Sequence, residues 1–280
     1  MKRHSNKCDL VVVGGGHAGI EAALVAKKLG VDVVLVSMDV KAVGRMSCNP
    51  AIGGLAKGQM VRELDVLGGV MGFFADQATL QSKTLNLSKG RSVWSPRSQI
   101  DKIKYEKVVQ KYIKDVDLCV IEGEVTKINE SGGSIVSVVF SDGSELYCKS
   151  AVLTCGTFLN GLIHIGDEQI KAGRLDEKRS EGITESLTSL GFKAGRLKTG
   201  TPPRIKKSSV NWSLGLAGYG DKKPKALSYK TSNFFPKDEP CFSFKTNEKT
   251  HELILKNLSK SAMYSGKTMA TGPRYCPSIE

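Results

Sequence analysis

Six consecutive residues near the start of the chain have the types and spacing of a phosphate-binding turn: Gly14, Gly15, Gly16, His17, Ala18 and Gly19. In such a turn Gly14 would allow a tight reversal, Gly16 would let the backbone approach a pyrophosphate, and Gly19 would let a helix pack on a strand. The helix N-terminus that follows attracts the phosphates. The string therefore predicts a dinucleotide site, with a structural glycine turn of another α/β protein as the alternative.

The acidic residue that commonly holds the ribose of NAD at the end of the second strand is missing. Ser37 and Met38 occupy this region, and Asp39 lies just beyond. A serine hydroxyl can donate a hydrogen bond to a ribose and also accept one. The pattern therefore weakens a general NAD assignment and indicates an altered ribose site.

Two cysteines lie where a thiol could take part in chemistry. Cys48 lies in the glycine-rich stretch 41–58, and Cys276 lies in Arg-Tyr-Cys-Pro near the end of the chain. An accessible thiol with a suitable pKa can act as a nucleophile or proton donor, but most free cysteines are small buried apolar residues. None of the seven cysteines forms a CxxC pair, which favours a reduced, cytoplasmic protein without a metal site.

The chain has a formal net charge of +13, which favours an anionic partner. Basic residues concentrate in two stretches, and Trp94 and Tyr105 lie among them. Phosphate neutralisation with base stacking on aromatic rings would use these residue types, as in nucleic-acid binding. The alternative is a solvated helix face in a lysine-rich composition. The basic residues are Lys83, Lys89, Arg91, Arg97, Lys102, Lys104, Lys107 and Lys111, and then Arg196, Lys198, Arg204, Lys206 and Lys207.

The glycine string is flanked by the elements that a dinucleotide fold needs. Residues 9–13 are predicted as a short apolar strand, 20–29 as a helix and 31–37 as a second strand rich in β-branched residues. This βαβ unit predicts an α/β fold of the Rossmann-like kind, with a parallel sheet covered by helices on both faces.

Later elements return the chain to this sheet. The strand that begins at Glu122 would lie beside the nucleotide, where main-chain groups of Val125 would reach adenine; an ordinary strand valine is the alternative. Helices are predicted over 55–67 and over 98–114, the second with Ser98 as its N-cap, and strands over 122–129, 134–140, 145–148 and 151–154.

The chain changes character after residue 200, from alternating strands and helices to long polar connections. The sequence therefore predicts a dinucleotide-binding domain over 1–200 with a basic insertion at about 80–115. An inserted, loop-rich α+β domain that faces the substrate is expected over 201–271. Residues 272–280 would begin the return to the first domain.

Six strings lie in order along the whole chain: GGGHAG at 14–19, SCNPAIGG at 47–54, GTFL at 156–159, GRLKTGTPPR at 195–204, TNEKTH at 246–251 and GPRYCPSIE at 272–280. Together they resemble the glucose-inhibited division protein A family, the FAD-binding subunit of a tRNA wobble-uridine modification enzyme. The resemblance implies an FAD-binding Rossmann-like fold with an inserted domain that faces NAD(H) and the substrate.

Carried over by position, the resemblance implies that the glycine string cradles the FAD pyrophosphate and that Val125 and Ser180 contact the cofactor. Cys48 and Cys276 match the two cysteines that the family places near the flavin, and are the candidate catalytic residues. The final segment falls in the region assigned to NAD(H): Gly272, Pro273, Arg274, Tyr275, Cys276, Pro277, Ser278, Ile279 and Glu280.

The family resemblance further implies a GTPase partner in a heterotetramer, a homodimer, a folate-derived one-carbon donor and tRNA as substrate. The product carries a (carboxymethyl)aminomethyl group at carbon 5 of the wobble uridine. Two features depart from the family: Lys89-Gly-Arg-Ser-Val93 replaces Lys-Gly-Pro-Ala-Val, and members are about twice this length. A truncated or split protein is therefore expected. A flavin oxidoreductase acting on a small molecule and an inactive remnant or binding module are the alternatives.

Overall fold

The computed structural model describes residues 5–46, 49–166, 168–200, 204–262 and 270. The chain divides into two compact units. Unit 1 comprises Met1–Gly156 and Tyr219–Pro240, and unit 2 comprises Thr157–Gly218 and Cys241–Glu280. The sequence pattern placed the domain boundary after residue 200. In the structure the first unit ends at Gly156 and also includes residues 219–240.

Unit 1 is an α/β domain built on a six-stranded sheet with the strand order β6-β2-β1-β9-β8-β7. Strands β6, β2, β1 and β9 run parallel, and β7 and β8 add an antiparallel hairpin. A second, antiparallel sheet has the order β3-β5-β4. The elements are β1 Lys7–Val13, α1 His17–Lys28, β2 Val33–Ser37, β3 Ala51–Gly53, α2 Lys57–Val66, α3 Met71–Gln77, β4 Thr79–Leu85, β5 Ser95–Ile100, α4 Lys102–Asp115, β6 Cys119–Glu122, β7 Val125–Ser131, β8 Ser134–Phe140 and β9 Glu145–Leu153.

The predicted βαβ unit is confirmed, and α1 begins three residues earlier than the pattern indicated, at His17. Val12 and Leu35 join a core with residues of α1, α3 and α4. Their neighbours Val11 and Val34 alternate with them along the strands and are also fully buried. Both faces of the parallel sheet are therefore covered, as such sheets require.

Two predicted strands, 145–148 and 151–154, are one continuous strand, β9. Its first residues pair antiparallel with β8, and its residues from Tyr147 onward pair parallel with β1. The prediction of two strands left out the polar residues Lys149 and Ser150. Pairing with β8 at one end and with β1 along the rest keeps these residues within a single strand.

The predicted N-cap of α4 was wrong. Ser98 is completely buried within β5, where it pairs with residues of both β3 and β4. The helix begins after Asp101, whose carboxylate accepts hydrogen bonds from the N–H groups of Ile103 and Lys104, both at 3.0 Å. Asp101 therefore provides the cap that satisfies the first turn.

Unit 2 contains short hairpins and two helices, in keeping with its polar, loop-rich sequence. Ala172, Ser180 and Ile183 are among its few buried residues. No helix in the described part of the chain combines the length and the apolar character needed to cross a membrane. The elements of unit 2 are β10 Ile163–Ile165, β11 Glu168–Ile170, β12 Ala172–Arg174, β13 Glu177–Lys178, α5 Ile183–Ser189, β14 Leu216–Gly218, β15 Cys241–Ser243 and α6 Glu248–Asn257.

Residues 219–240, here called the strap, are anchored at both ends on β4. The Asp221 carboxylate accepts hydrogen bonds from the backbone N–H of Thr84 at 2.9 Å and from its hydroxyl at 2.7 Å. Near the other end, Nε2 of Gln81 donates to the carbonyl of Glu239 at 3.0 Å. The strap is therefore part of unit 1 although it lies more than a hundred residues further along the chain.

Two buried aspartates hold the middle of the strap. Asp76 accepts hydrogen bonds from the N–H groups of Leu227 at 2.8 Å and Ser228 at 2.9 Å, and from the Thr231 hydroxyl at 2.7 Å. Asp65 accepts a hydrogen bond from the Ser228 hydroxyl at 2.6 Å. Burial raises the pKa of Asp76, while the hydrogen bonds from the strap oppose that rise. The Leu227 side chain lies in the core of unit 1.

We predict that Asp76→Ala lowers the free energy of unfolding by about 2–4 kcal/mol, because the buried N–H groups of Leu227 and Ser228 lose their acceptor. Urea unfolding of the chain measures the change. Asp142→Ala, in an exposed hairpin turn, is the control and should change stability little. Equal stability of the two variants would show that Asp76 does not hold the strap.

Candidate functional site

The turn that joins β1 to α1 begins at Gly14. This residue has φ +111°, which favours glycine, and its N–H donates to the carbonyl of Val36 at 2.8 Å. A Cβ at Gly14 would lie 2.5 Å from the carbonyl oxygen of Thr154, just beyond β9. The fold itself therefore requires glycine at this position.

The other glycines of the turn divide into two kinds. A Cβ at Gly19 would lie 1.9 Å from the carbonyl oxygen of Gly14, and one at Gly15 would lie 2.8 Å from the Val43 side chain. Among the described residues, a Cβ at Gly16 would meet nothing within 4 Å, and Gly16 has an extended backbone that any residue can adopt. The packing of the described chain therefore does not require glycine at position 16, and the space beside it could admit a ligand.

The N-terminus of α1 has the electrostatic character of an anion site. No side chain of the described residues caps it, and its first turn contains no acidic residue, whereas Lys27 and Lys28 lie in its last turn. The helix dipole and the first N–H groups therefore favour a negatively charged group beside Gly16. This arrangement fits the pyrophosphate of a dinucleotide.

The edge where a ribose was expected contains an acidic residue that the sequence pattern missed. The Ser37 hydroxyl donates to the carbonyl of Asp39 at 2.8 Å, so local structure engages it. Ser37 is paired in register with Glu122 of β6, and the Glu122 carboxylate accepts a hydrogen bond from Val40 N–H at 3.1 Å. Strand order brings Glu122 to this edge, which spacing along the chain cannot reveal.

The two residues expected to contact the cofactor belong to different units. Val125 is 2% exposed and begins β7, where it pairs with Phe140. Ser180 lies in unit 2, where its N–H donates to the carbonyl of Phe158 at 2.9 Å. Their roles toward a cofactor stay predictions.

Both candidate catalytic cysteines, Cys48 and Cys276, lie outside the described residues, as does the whole predicted NAD(H) segment 272–280. No disulfide joins two of the described cysteines, which are Cys8, Cys119, Cys148, Cys155 and Cys241. Burial raises the pKa of Cys148 and of Cys155, which makes these two thiols less reactive.

The first basic stretch exposes lysines on α4. Two aromatic residues in this stretch were predicted to stack on bases, and the prediction is wrong for one of them. Tyr105 is 1% exposed, because Tyr105, Val109 and Ile113 form the face of α4 that packs into the core. Trp94 is 38% exposed, with the Arg91 guanidinium 5.6 Å from its ring centre. The exposed lysines of α4 are Lys102, Lys104, Lys107, Lys111 and Lys114.

The second basic stretch lies in unit 2. Arg196, Arg204, Lys206 and Lys207 are exposed, and Lys198 is half-buried. The structure therefore assigns the two stretches to separate units, each with its own group of cations.

The model of the family described as glucose inhibited division protein A matches residues 9–280. The chain belongs to the glucose inhibited division protein A family. A solved structure of Aquifex aeolicus GidA is 44% identical to it, with a TM-score of 0.90 over 97% of this chain and 47% of that one. A second crystal form of the same protein gives a TM-score of 0.88 at 42% identity, over 93% of this chain and 45% of that one.

Two relatives are named tRNA uridine 5-carboxymethylaminomethyl modification enzyme MnmG. The protein of Thermodesulfovibrio yellowstonii is 46% identical over 273 residues, and that of Chlorobium phaeobacteroides is 46% identical over 275 residues. Each match covers 97% of this chain and 44% of the relative. This member of the GidA family therefore spans less than half the length of the curated relatives that it matches.

We predict that Gly16→Val leaves the stability of the chain unchanged and weakens FAD binding at least about tenfold, or 1.4 kcal/mol, because the side chain fills the space left for a ligand. Equilibrium titration with FAD and thermal unfolding measure the two effects. Gly19→Ala is the contrasting variant and should cost about 1–3 kcal/mol of stability, because its Cβ overlaps backbone. Normal FAD affinity in Gly16→Val would contradict this assignment of the turn.

Proposed function

We propose that this chain is the FAD-binding part of a tRNA modification enzyme acting at carbon 5 of the wobble uridine. The observation that carries the proposal is the space at Gly16 beside the uncapped N-terminus of α1, in a member of the GidA family. The names of the relatives favour tRNA over a small molecule as the substrate. A bound FAD supplies electron transfer to the reaction.

The residues of the turn have distinct roles in this proposal. Gly14 and Gly19 let β1 and α1 meet, Gly16 leaves room for the pyrophosphate, and the N-terminus of α1 opposes its charge. The carboxylate of Glu122, at the neighbouring strand end, suits the hydroxyl groups of a ribose. Val125 would bind adenine through its main chain, and Ser180 would contact the cofactor.

The activity of the whole protein requires more than this chain, because the relatives are more than twice as long. The proposal includes NAD(H) as the reductant, bound by 272–280, a folate-derived one-carbon donor and Cys48 and Cys276 as catalytic thiols. It also includes a homodimer, a GTPase partner and a cytoplasmic location.

The lysines of α4 are the proposed contact with the tRNA backbone. Lys104, Lys107 and Lys111 are spaced three and four residues apart, which places them along one side of the helix. The opposite, apolar side is buried in the core, so the lysines are held at the surface by a well-packed helix. Such a row of cations suits successive phosphates.

We predict that replacing Lys104, Lys107 and Lys111 together by Gln weakens tRNA binding and lowers its salt dependence. The slope of log K against log salt should fall by about two to three units, since each phosphate contact contributes about 0.7–0.9. Filter binding over a range of salt concentrations measures this. The control replaces three exposed lysines elsewhere in unit 1, Lys28, Lys127 and Lys149. An equal slope in both triple variants would remove α4 from the interface.

A cellular experiment tests the enzyme itself. The chain is expressed in bacteria that lack their own modification enzyme, together with the part of the Thermodesulfovibrio relative that it does not match. Mass spectrometry of digested tRNA then measures the modified wobble uridine.

We predict that Cys48→Ser retains flavin and lowers the product at least about tenfold, a barrier increase of 1.4 kcal/mol. Cys241→Ser, at an exposed cysteine, is the control. Equal product in both variants would make Cys48 dispensable, and no product from the unaltered chain would contradict the proposed function.

A further inference from the structure

Tyr105 of α4 contacts the glycine turn from inside the core. Its hydroxyl lies 3.3 Å from Nδ1 of His17, the first residue of α1. The two rings meet edge to face, with their centres 5.4 Å apart. On another side, the Phe74 ring of α3 meets Tyr105 in the same manner at 6.3 Å. The hydroxyl is therefore held against the turn by packing on a rigid helix.

The chemistry of this contact follows from its surroundings. Burial raises the pKa of Tyr105, and the nearby Glu21 carboxylate raises it further, so the hydroxyl keeps its proton. A neutral hydroxyl can donate that proton to Nδ1 of a neutral imidazole. In the tautomer that carries its hydrogen on Nε2, His17 accepts this hydrogen bond, which restricts the orientation of the ring.

The turn packs closely before Gly16 and again at Gly19. Gly14 and Gly19 lie against each other and against Thr154, and Gly15 lies against Val43, whereas a Cβ at Gly16 would meet none of the described atoms within 4 Å and Ala18 is exposed. His17 lies between these two open positions, at the point where the helix N–H groups face a ligand. Fixing it in advance reduces the entropy that binding must otherwise remove.

We propose that Tyr105 is a positioning residue for the cofactor: through His17 it holds the first turn of α1 in the conformation that binds the pyrophosphate of a dinucleotide. The proposal rests on the FAD binding proposed above. Tyr105 does not touch the ligand, so its effect should follow the pyrophosphate group and should require His17.

Tyr105→Phe tests this, since it removes the hydroxyl and keeps the ring in the core. Calorimetric titration of the 280-residue chain should show about three- to tenfold weaker binding of FAD and of ADP, the range for one lost hydrogen bond. Binding of riboflavin, which lacks the pyrophosphate, should be unchanged. Tyr112→Phe is the matched control, because Tyr112 lies on the same helix and its ring also packs on Phe74, at 5.1 Å.

A double-mutant cycle with His17→Gln separates positioning from general damage. In the His17→Gln background, Tyr105→Phe should cause no further loss of FAD affinity. Unchanged FAD and ADP affinity in Tyr105→Phe, equal losses in Tyr112→Phe, or additive losses in the double variant would each overturn the proposal. Absence of FAD binding by the unaltered chain would instead count against the proposed function.

Discussion

The close approach of α1 to the end of β1 is the constraint on which the rest of unit 1 depends. At this point the backbone of Gly14 lies against Gly19 of the helix and against Thr154 beyond β9, and a Cβ at either glycine would overlap a carbonyl oxygen. Strand β1 pairs with β2 on one side and β9 on the other. Three elements therefore meet at one turn without side chains between them, which leaves the first N–H groups of α1 at the carboxyl end of the sheet.

The same constraint distinguishes the three glycines of the motif by what a side chain would meet at each position. Gly14 and Gly19 are required by the packing of the chain, whereas Gly16 has room for a side chain among the described residues and is the position proposed to admit a ligand. The distinction makes the site testable, since loss of folding and loss of binding are expected from different substitutions. It also explains why a motif of this kind is a moderate signal for binding: packing alone requires glycine at two of its three positions.

Local patterns were sufficient for the βαβ unit, because the strand, turn and helix signals lie within 9–37. They failed where distant pairing decides the structure. Ser98 is a good N-cap by type, but β3 and β4 pair on either side of it and place it in a strand. Tyr105 looked like a stacking residue among lysines. Tyr105, Val109 and Ile113 are spaced four residues apart, a pattern that indicates a buried helix face. The structure follows this pattern even though lysines lie between these residues.

The acidic residues show most clearly what sequence reasoning cannot reach. The position of Glu122 depends on the pairing of β6 with β2, and the partners of Asp65 and Asp76 lie in the strap, about 150 residues away in the chain. No periodicity links such residues. A carboxylate taken out of water needs donors, and the strap supplies backbone N–H groups that would otherwise lack acceptors. Each group satisfies the other, so the burial of the Asp65 and Asp76 carboxylates and the docking of the strap depend on one another. We propose a similar dependence at the glycine turn, where the Tyr105 hydroxyl acts through His17.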